Sequence, residues 1–272
     1  MILLQGYLLM SRKFVLVVSF GFLILLCGMT MSCGSSGSGG GNKVPFNVVG
    51  NWQANFTANV GATATGYGAI DSSGLGAFLD TSGNIVQLPT ITGVNSFSGN
   101  LTAYAVNPTV FPDGSVVVTD AAQGNVNSAT SITGTFTGTG SPSGSFSAVP
   151  DSPLGGSAVV VSGVMNGKIM GFVDTLQLTL SGNGSFTGGD FGPGGAVCNV
   201  TGTLTQQGTN DVFDVTYNTP SGDCRLDTQT GIAFESKTDY LSVNGGKNAT
   251  YLYLILLTSV AQARPAVYVV YQ

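Results

Sequence analysis

The stretch KIMGFVDTLQLTLSGNGSFTG, Lys168 to Gly188, sets the expected fold. It reads as a long strand followed by a hairpin turning at Ser181 to Gly184, because short alternating runs give way to turn-forming residues. The same texture continues on both sides. Downstream, VTGTLTQQGTNDVFDVTYN (200–218) predicts a hairpin turning at Gln207 to Asp211. Upstream, SITGTFTGTGSPSGSFSAV (131–149) predicts two polar-faced strands around a Gly-Ser-Pro-Ser-Gly turn. In TVFPDGSVVV (109–118), Pro112 presets a turn dihedral and Gly114 accepts positive φ between β-branched arms, which predicts a further hairpin.

Trp52 to Ala58 alternates, and Phe97 to Val106 puts Phe97, Leu101 and Val106 on one surface. Further strands are expected at Ile232 to Glu235, Tyr240 to Val243, Thr250 to Val260 and Ala266 to Tyr271. Within the third of these, YLYLILL (251–257) has no alternation, as in a strand covered on both faces. Turn signals recur about every 8 to 12 residues, the spacing of sandwiches and barrels. Units such as SGNLT, TGTFTG and TGTLT recur without a fixed period, so they mark hairpin repetition and not a solenoid. The expected class is all-β: an antiparallel up-and-down barrel or β-sandwich of many short hairpin-linked strands, preceded by an N-terminal signal helix. One β domain is expected over 47–272, with a possible internal break at 150–156 around DSPLGG.

The amino-terminal region has a different logic. Arg12 and Lys13 precede an apolar run from Phe14 to Leu26, and small residues then lead to Cys33, the order of a secretory signal over 1–32. The run spans about 20 Å as a helix, against a hydrocarbon core roughly 30 Å thick. Residues 1–9 fit neither signal nor domain, and MSRKFVLVV points to Met10 as the start. Ser32 before Cys33, with only Gly, Ser and Asn from Gly34 to Asn42, resembles a bacterial lipoprotein signal with its flexible tether, here 33–46. That resemblance implies a palmitate-type lipid anchor on Cys33 and, because Gly34 follows it, outer-membrane or cell-surface sorting. Two alternatives stay open: an ordinary secretory cut after Thr30-Met31-Ser32, and an uncut anchor from Phe14 to Met31. Cys27 follows bulky Leu26 and suits lipidation less well.

Composition narrows the function. Only 8% of residues are charged, 43% are hydrophobic, 41 are glycine and none is histidine. Beyond the signal, six basic residues face 13 acidic ones, a net charge near −7. Nucleic-acid affinity rests on Lys and Arg neutralising phosphates, so no nucleic-acid partner is expected. The two domain cysteines, Cys198 and Cys224, are expected to form a disulfide in an oxidising compartment, worth roughly 3 to 4 kcal/mol for a loop of that length.

Two resemblances follow from these residues. Gly50 and Trp52 in VVGNWQANFT (48–57) resemble the Gly-x-Trp opening of lipocalin and avidin-type barrels, which implies that the Trp plugs one barrel end and packs against an Arg of the closing strands, here Arg264. The plainer reading of Trp52 is a large core residue of the first strand. GNWQ together with the repeated Ser/Thr-Gly-x-Leu/Phe-Thr strands resembles a group of uncharacterised exported bacterial lipoproteins, which implies an address and a fold but no activity.

Without histidine there is no Ser-His-Asp or Cys-His machinery and no His-based metal site. Carboxylate pairs remain, but Asp71, Asp80, Asp113 and Asp223 sit in turn signatures where Asp bonds nearby amides. Asp174 and Asp214, read as lying inside strands, and the single glutamate Glu235 are the candidate acids of a carbohydrate-active hydrolase or lyase. No spacing matches a calcium loop, and GGDFGPGGA (188–196) lacks the ending of a phosphate loop, so no cofactor or metal is expected. The expected role is a non-catalytic envelope protein that reaches the membrane through its lipid and binds an unknown ligand or partner. Tyr104, Tyr251 and Tyr253 are candidates to line a barrel mouth, or else plain core aromatics. A third reading is an integral outer-membrane barrel, suggested by the low charge and the ending YVVYQ.

Overall fold

The computed structural model describes residues 46–272, apart from 92–94, 106–109, 112–113, 139–141, 152–161, 173, 193–196, 208–210, 223–226 and 260–264. The expected signal helix, Met10, Cys27, Cys33 and all of the tether except Phe46 therefore lie outside the described residues, as do Asp113, 152–156 of the expected break, Asp223, Cys224 and Arg264.

Every regular element among the described residues is a strand. The first eight are β1 (Gly50–Ala58), β2 (Thr63–Ile70), β3 (Gly76–Asp80), β4 (Ile85–Gln87), β5 (Ser96–Tyr104), β6 (Val117–Ser128), β7 (Ser131–Thr137) and β8 (Gly144–Pro150). They pair in chain order and close when β1 pairs antiparallel with β8, Trp52 opposite Pro150. The next eight repeat the plan: β9 (Gly163–Ile169), β10 (Thr175–Leu180), β11 (Ser185–Phe191), β12 (Val197–Gln206), β13 (Val212–Gly222), β14 (Asp227–Ser236), β15 (Tyr251–Ser259) and β16 (Ala266–Tyr271). Here β16 returns to β9, Tyr268 opposite Ile169. The all-β class thus resolves to the barrel alternative, realised twice as antiparallel up-and-down barrels, with Pro150 ending the first and Gly163 opening the second.

Period-two alternation fills each interior. In the first barrel Trp52, Phe78, Phe97, Leu101, Ile132 and Phe146 meet in one apolar core, and Trp52 donates its indole N–H to the Val48 carbonyl at 2.8 Å. In the second, Met165, Leu178, Phe186, Val200, Phe213 and Leu254 do the same. The intervening residues on β6–β13 are chiefly Thr, Ser, Asn and Gln and face outward.

The recurring glycine units have a steric cause. In TGTLT, a Cβ on Gly202 would lie 2.1 Å from the Phe186 ring and 2.2 Å from the Thr216 carbonyl oxygen. In TGTFTG, one on Gly134 would lie 2.4 Å from the Phe146 ring and 2.6 Å from the Gln123 carbonyl oxygen. Each glycine stands directly opposite that phenylalanine in the strand register, so the ring roofs the gap while the strands bend tightly enough to close.

The lack of alternation in YLYLILL also finds its cause. Leu252, Leu254 and Leu256 point into the second barrel, while Tyr251, Tyr253 and Ile255 point outward. The outward set, with Phe234 on β14 and Val267 and Val269 on β16, packs against Ala69, Ala77, Leu79 and Ile85 of β2–β4. The two barrels therefore share an apolar seam, and β15 is buried on both faces.

Some expectations change. The long strand from Lys168 is two strands, because the chain turns at Met170–Phe172, with Gly171 at φ 79° and Phe172 N–H donating to Ile169 O at 3.2 Å. Tyr240–Val243 is a turn and not a strand. The Asp239 carboxylate draws in the amides of Val243 (2.9 Å), Asn244 (2.9 Å) and Gly246 (3.1 Å), which coils the backbone. Strands β2 and β3, with several Gly and Ala residues, and the three-residue β4 do not stand out in the sequence; the Asp71 turn joins β2 to β3 and the Asp80 turn joins β3 to β4. Of the hairpin expected at 109–118, the described residues show Phe111 N–H donating to Ser115 O at 2.8 Å and Gly114 at φ 82°, and the flanking strands stop at Tyr104 and start at Val117.

Gly202→Ala is expected to destabilise the chain by about 2 to 3 kcal/mol through overpacking. Gly182→Ala, in a turn where an added Cβ meets nothing within 4 Å, should be near neutral, and paired denaturant melts read the contrast.

Candidate functional site

The end of the second barrel where β9 turns into β10 differs from the rest of its interior. Inward positions along β11–β14 and β16 place Asp190, Cys198, Tyr217, Gln229 and Tyr268 there, above the apolar layers of Leu178, Phe186 and Val200. The register links them: Asp190 lies opposite Cys198, Tyr217 opposite Gln229, and Tyr268 opposite Ile169 at the turn. Tyr217, only 1% exposed, stacks obliquely on Tyr268 with ring centroids 4.7 Å apart. Among the described residues, Asp190 Oδ1 is buried without a hydrogen-bond partner, and the Tyr217 hydroxyl is buried beside Tyr268. Buried polar atoms left unmatched are uncommon in native folds and ask for an explanation.

Electrostatics single out the same residues. Burial pushes the Asp190 carboxyl up from 3.8 to about 6, and the nearby charge of Asp174 adds to the effect. Burial also raises the Tyr217 hydroxyl far above its ordinary range, with Tyr268 and Asp190 contributing. Phe172 in the β9–β10 turn, and Phe191 and Val197 on the outer face of β11 and β12 near this end, are exposed apolar side chains.

The acids named from the sequence are not brought together. Asp174 precedes β10 and is not inside a strand, and it lies near Asp190, a residue sequence reasoning passed over. Asp214 faces outward on β13, where it accepts from Gln207 Nε2 at 2.6 Å; Gln207 in turn accepts from Ser72 Oγ of the first barrel. Burial first, then Asp71, raises the Asp214 carboxyl. Glu235 points into the second barrel at its opposite end, beside Leu252, so it and Asp214 lie on opposite faces of the wall. Asp71 and Asp80 are turn residues as expected: Asp71 Oδ1 accepts from Ser73 N at 2.8 Å and Leu75 N at 2.9 Å, and Asp80 Oδ1 from Ser82 N and Asn84 N, both at 2.8 Å.

The tyrosines proposed for a mouth serve the seam. Tyr251 and Tyr253 are fully buried there, and the Tyr253 hydroxyl donates to Thr238 O at 2.9 Å and accepts from Tyr240 N at 2.8 Å. Tyr104 packs at its edge. Gly50 and Trp52 open β1, and the strand that closes their own barrel is β8, GSFSAVP, which carries no basic residue. Elsewhere, a depression of about 770 Å³ on the outer wall of the first barrel is lined by uncharged residues including Ser98, Gln123, Asn125 and Thr135. The signal that marks Asp190 in the sequence is faint: a single acid at an inward position of GGDF, legible only once the register of β11 is known.

A carboxyl that titrates higher folded than unfolded holds its proton more tightly in the fold, so its contribution favours the fold at low pH and is lost as pH rises from 3.8 through about 6. Asp190→Asn should therefore raise the melting temperature relative to the parent at pH 7.5, with the difference shrinking towards pH 4; scanning calorimetry across that window reads it. Comparison with known protein families, curated proteins and solved structures finds no match.

Proposed function

We propose that this chain is an exported, non-catalytic envelope lipoprotein, tethered through Cys33, whose second barrel binds a small ligand at the mouth containing Asp190 and Tyr217. The observation that carries the address is the order of residues before the domain: a basic pair, a short apolar run, Ser32-Cys33 and a Gly/Ser tether. The binding role is supported by a buried Asp190 oxygen that finds no partner among the described residues, at one end of an eight-stranded barrel, a class of fold that can hold one small ligand.

The integral outer-membrane reading fits less well. Membrane barrels alternate apolar-out and polar-in. Here the free walls present Thr, Ser, Asn and Gln outward, as in Thr175, Gln177 and Thr179 of β10, over an apolar interior, which suits a body bathed in water. A hydrolase would need two of Asp174, Asp214 and Glu235 on one face, and they are on different faces or ends. The Cys198–Cys224 disulfide belongs to the same proposal, supported by Cys198 standing opposite Gly222, two residues before Cys224.

Intact-mass analysis of the protein extracted from membranes tests the address. The expected species begins at Cys33, carries a diacylglyceryl group there and is lighter by two hydrogens than the fully reduced form. Cys33→Ala should release the protein from the membrane. A chain that retains residues 1–32, or an unmodified Cys33, overturns the anchor, and equal thiol counts before and after reduction overturn the disulfide.

A further inference from the structure

We propose that Asn244 is a site of spontaneous covalent modification, at which the backbone nitrogen of Gly245 closes on the Asn244 side-chain amide and water then leaves an aspartyl or isoaspartyl carboxylate in its place. The chain has three Asn-Gly pairs, beginning at Asn166, Asn183 and Asn244, and the glycine of such a pair carries no side chain to shield its nitrogen. In the reaction the Gly245 N–H gives up its proton, a bond forms from that nitrogen to Asn244 Cγ, and the Cγ–Nδ2 bond breaks with Nδ2 leaving as ammonia. Water adds to either carbonyl of the resulting ring and splits one C–N bond, so a neutral amide becomes a carboxylate. Neither an enzyme nor an oxidant is required.

The fold separates the three pairs. Gly167 lies inside β9, opposite Leu176 of β10 and Val270 of β16, and an added Cβ there would be 1.9 Å from the Val269 carbonyl oxygen, so its backbone has no freedom to swing. Asn166 Oδ1 also accepts from Gln177 Nε2 at 2.9 Å. At the second pair the Gly184 N–H donates to Ser181 O at 2.9 Å, while Asn183 Oδ1 accepts from the Ser185 N–H at 3.1 Å and hydroxyl at 2.7 Å. Gly245 is held by nothing comparable. It is exposed at φ 66°, and an added Cβ there would meet nothing within 4 Å. Among the described residues, neither its N–H nor the Asn244 side chain has a hydrogen-bond partner, so both reacting groups are unrestrained.

The consequence falls on the seam. Asp239 Oδ2 accepts from the N–H groups of Asn244 at 2.9 Å and Gly246 at 3.1 Å, so a carboxylate formed at position 244 sets a like charge beside Asp239. An isoaspartyl link also lengthens the backbone between those two amides. Next to Asp239, Tyr240 stacks on Tyr67 of β2 at 4.1 Å and gives its N–H to the Tyr253 hydroxyl at 2.8 Å. The loop that changes is therefore one that fastens the two barrels.

The test is to age the full mature protein in mildly alkaline buffer, folded and in guanidinium chloride, and to follow all three pairs by peptide mapping with mass spectrometry; trypsin releases the third within Thr238–Lys247. In the folded protein the Asn244 peptide should gain about one mass unit, and do so about tenfold faster than the peptides of Asn166 and Asn183, the factor to which one protecting hydrogen bond corresponds. In guanidinium chloride the three rates should converge. Asn244→Gln should remove the fast reaction. Asn244→Asp, which carries the product charge from the start, should lower the melting temperature by about 2 to 4 °C, as should ageing of the parent. Equal rates at the three pairs in the folded protein, or an unmodified Asn244 under conditions where the unfolded chain reacts, overturns the site. A melting temperature of Asn244→Asp equal to that of the parent overturns the coupling to the seam.

Discussion

Burial of one strand on both of its faces organises this molecule. Strand β15 gives Leu252, Leu254 and Leu256 to the interior of the second barrel and Tyr251, Tyr253 and Ile255 to the seam with the first. A strand in that position has no solvent side, so it has no use for alternation, and its sequence is apolar throughout. Polar fastenings ring the seam. Tyr67 of β2 stacks on Tyr240 at 4.1 Å, the Tyr240 hydroxyl donates to Asp151 just after β8, and Asn51 Nδ2 donates to the Glu235 carbonyl at 2.8 Å. The apolar contact supplies the driving force for association, and these bonds fix how the walls meet.

The barrel class and many hairpins were legible because they are local. Ser181–Gly184 turns as the residues suggest, with Gly184 at φ 83° and its N–H donating to Ser181 O at 2.9 Å, and Ala266–Tyr271 is a strand to the residue. What the sequence concealed is non-local. That TGTLT and TGTFTG place glycine opposite phenylalanine can be seen only once the register is fixed, because the partners come from neighbouring strands. Asp239 recruits amides up to seven residues away, which overrides the strand-like look of Tyr240–Val243. Strands β2 and β3 carry several Gly and Ala residues and β4 is three residues long, so they gave no clear period.

The mouth of the second barrel was hidden for the same reason. Asp190, Tyr217 and Tyr268 come from three strands separated by tens of residues, and nothing in their local sequence ties them together. Closure of the barrel sets them at one end of a cylinder whose lower layers are hydrocarbon. That placement removes water from Asp190 and makes its proton affinity respond to the neighbouring Asp174. Asp174 and Asp214, which looked equivalent as strand-borne acids, end in unlike settings, one beside this mouth and the other in a hydrogen-bonded bridge between the barrels.

The order of strands along the chain has a consequence for assembly. The first barrel is complete at Pro150, so it can close while the remaining residues are still being made. Its outer patch of Ala69, Ala77, Leu79 and Ile85 then stays bare until β14, β15 and β16 arrive to cover it. A chain cut short of Tyr251 would therefore keep a closed first barrel whose apolar flank lacks its main cover.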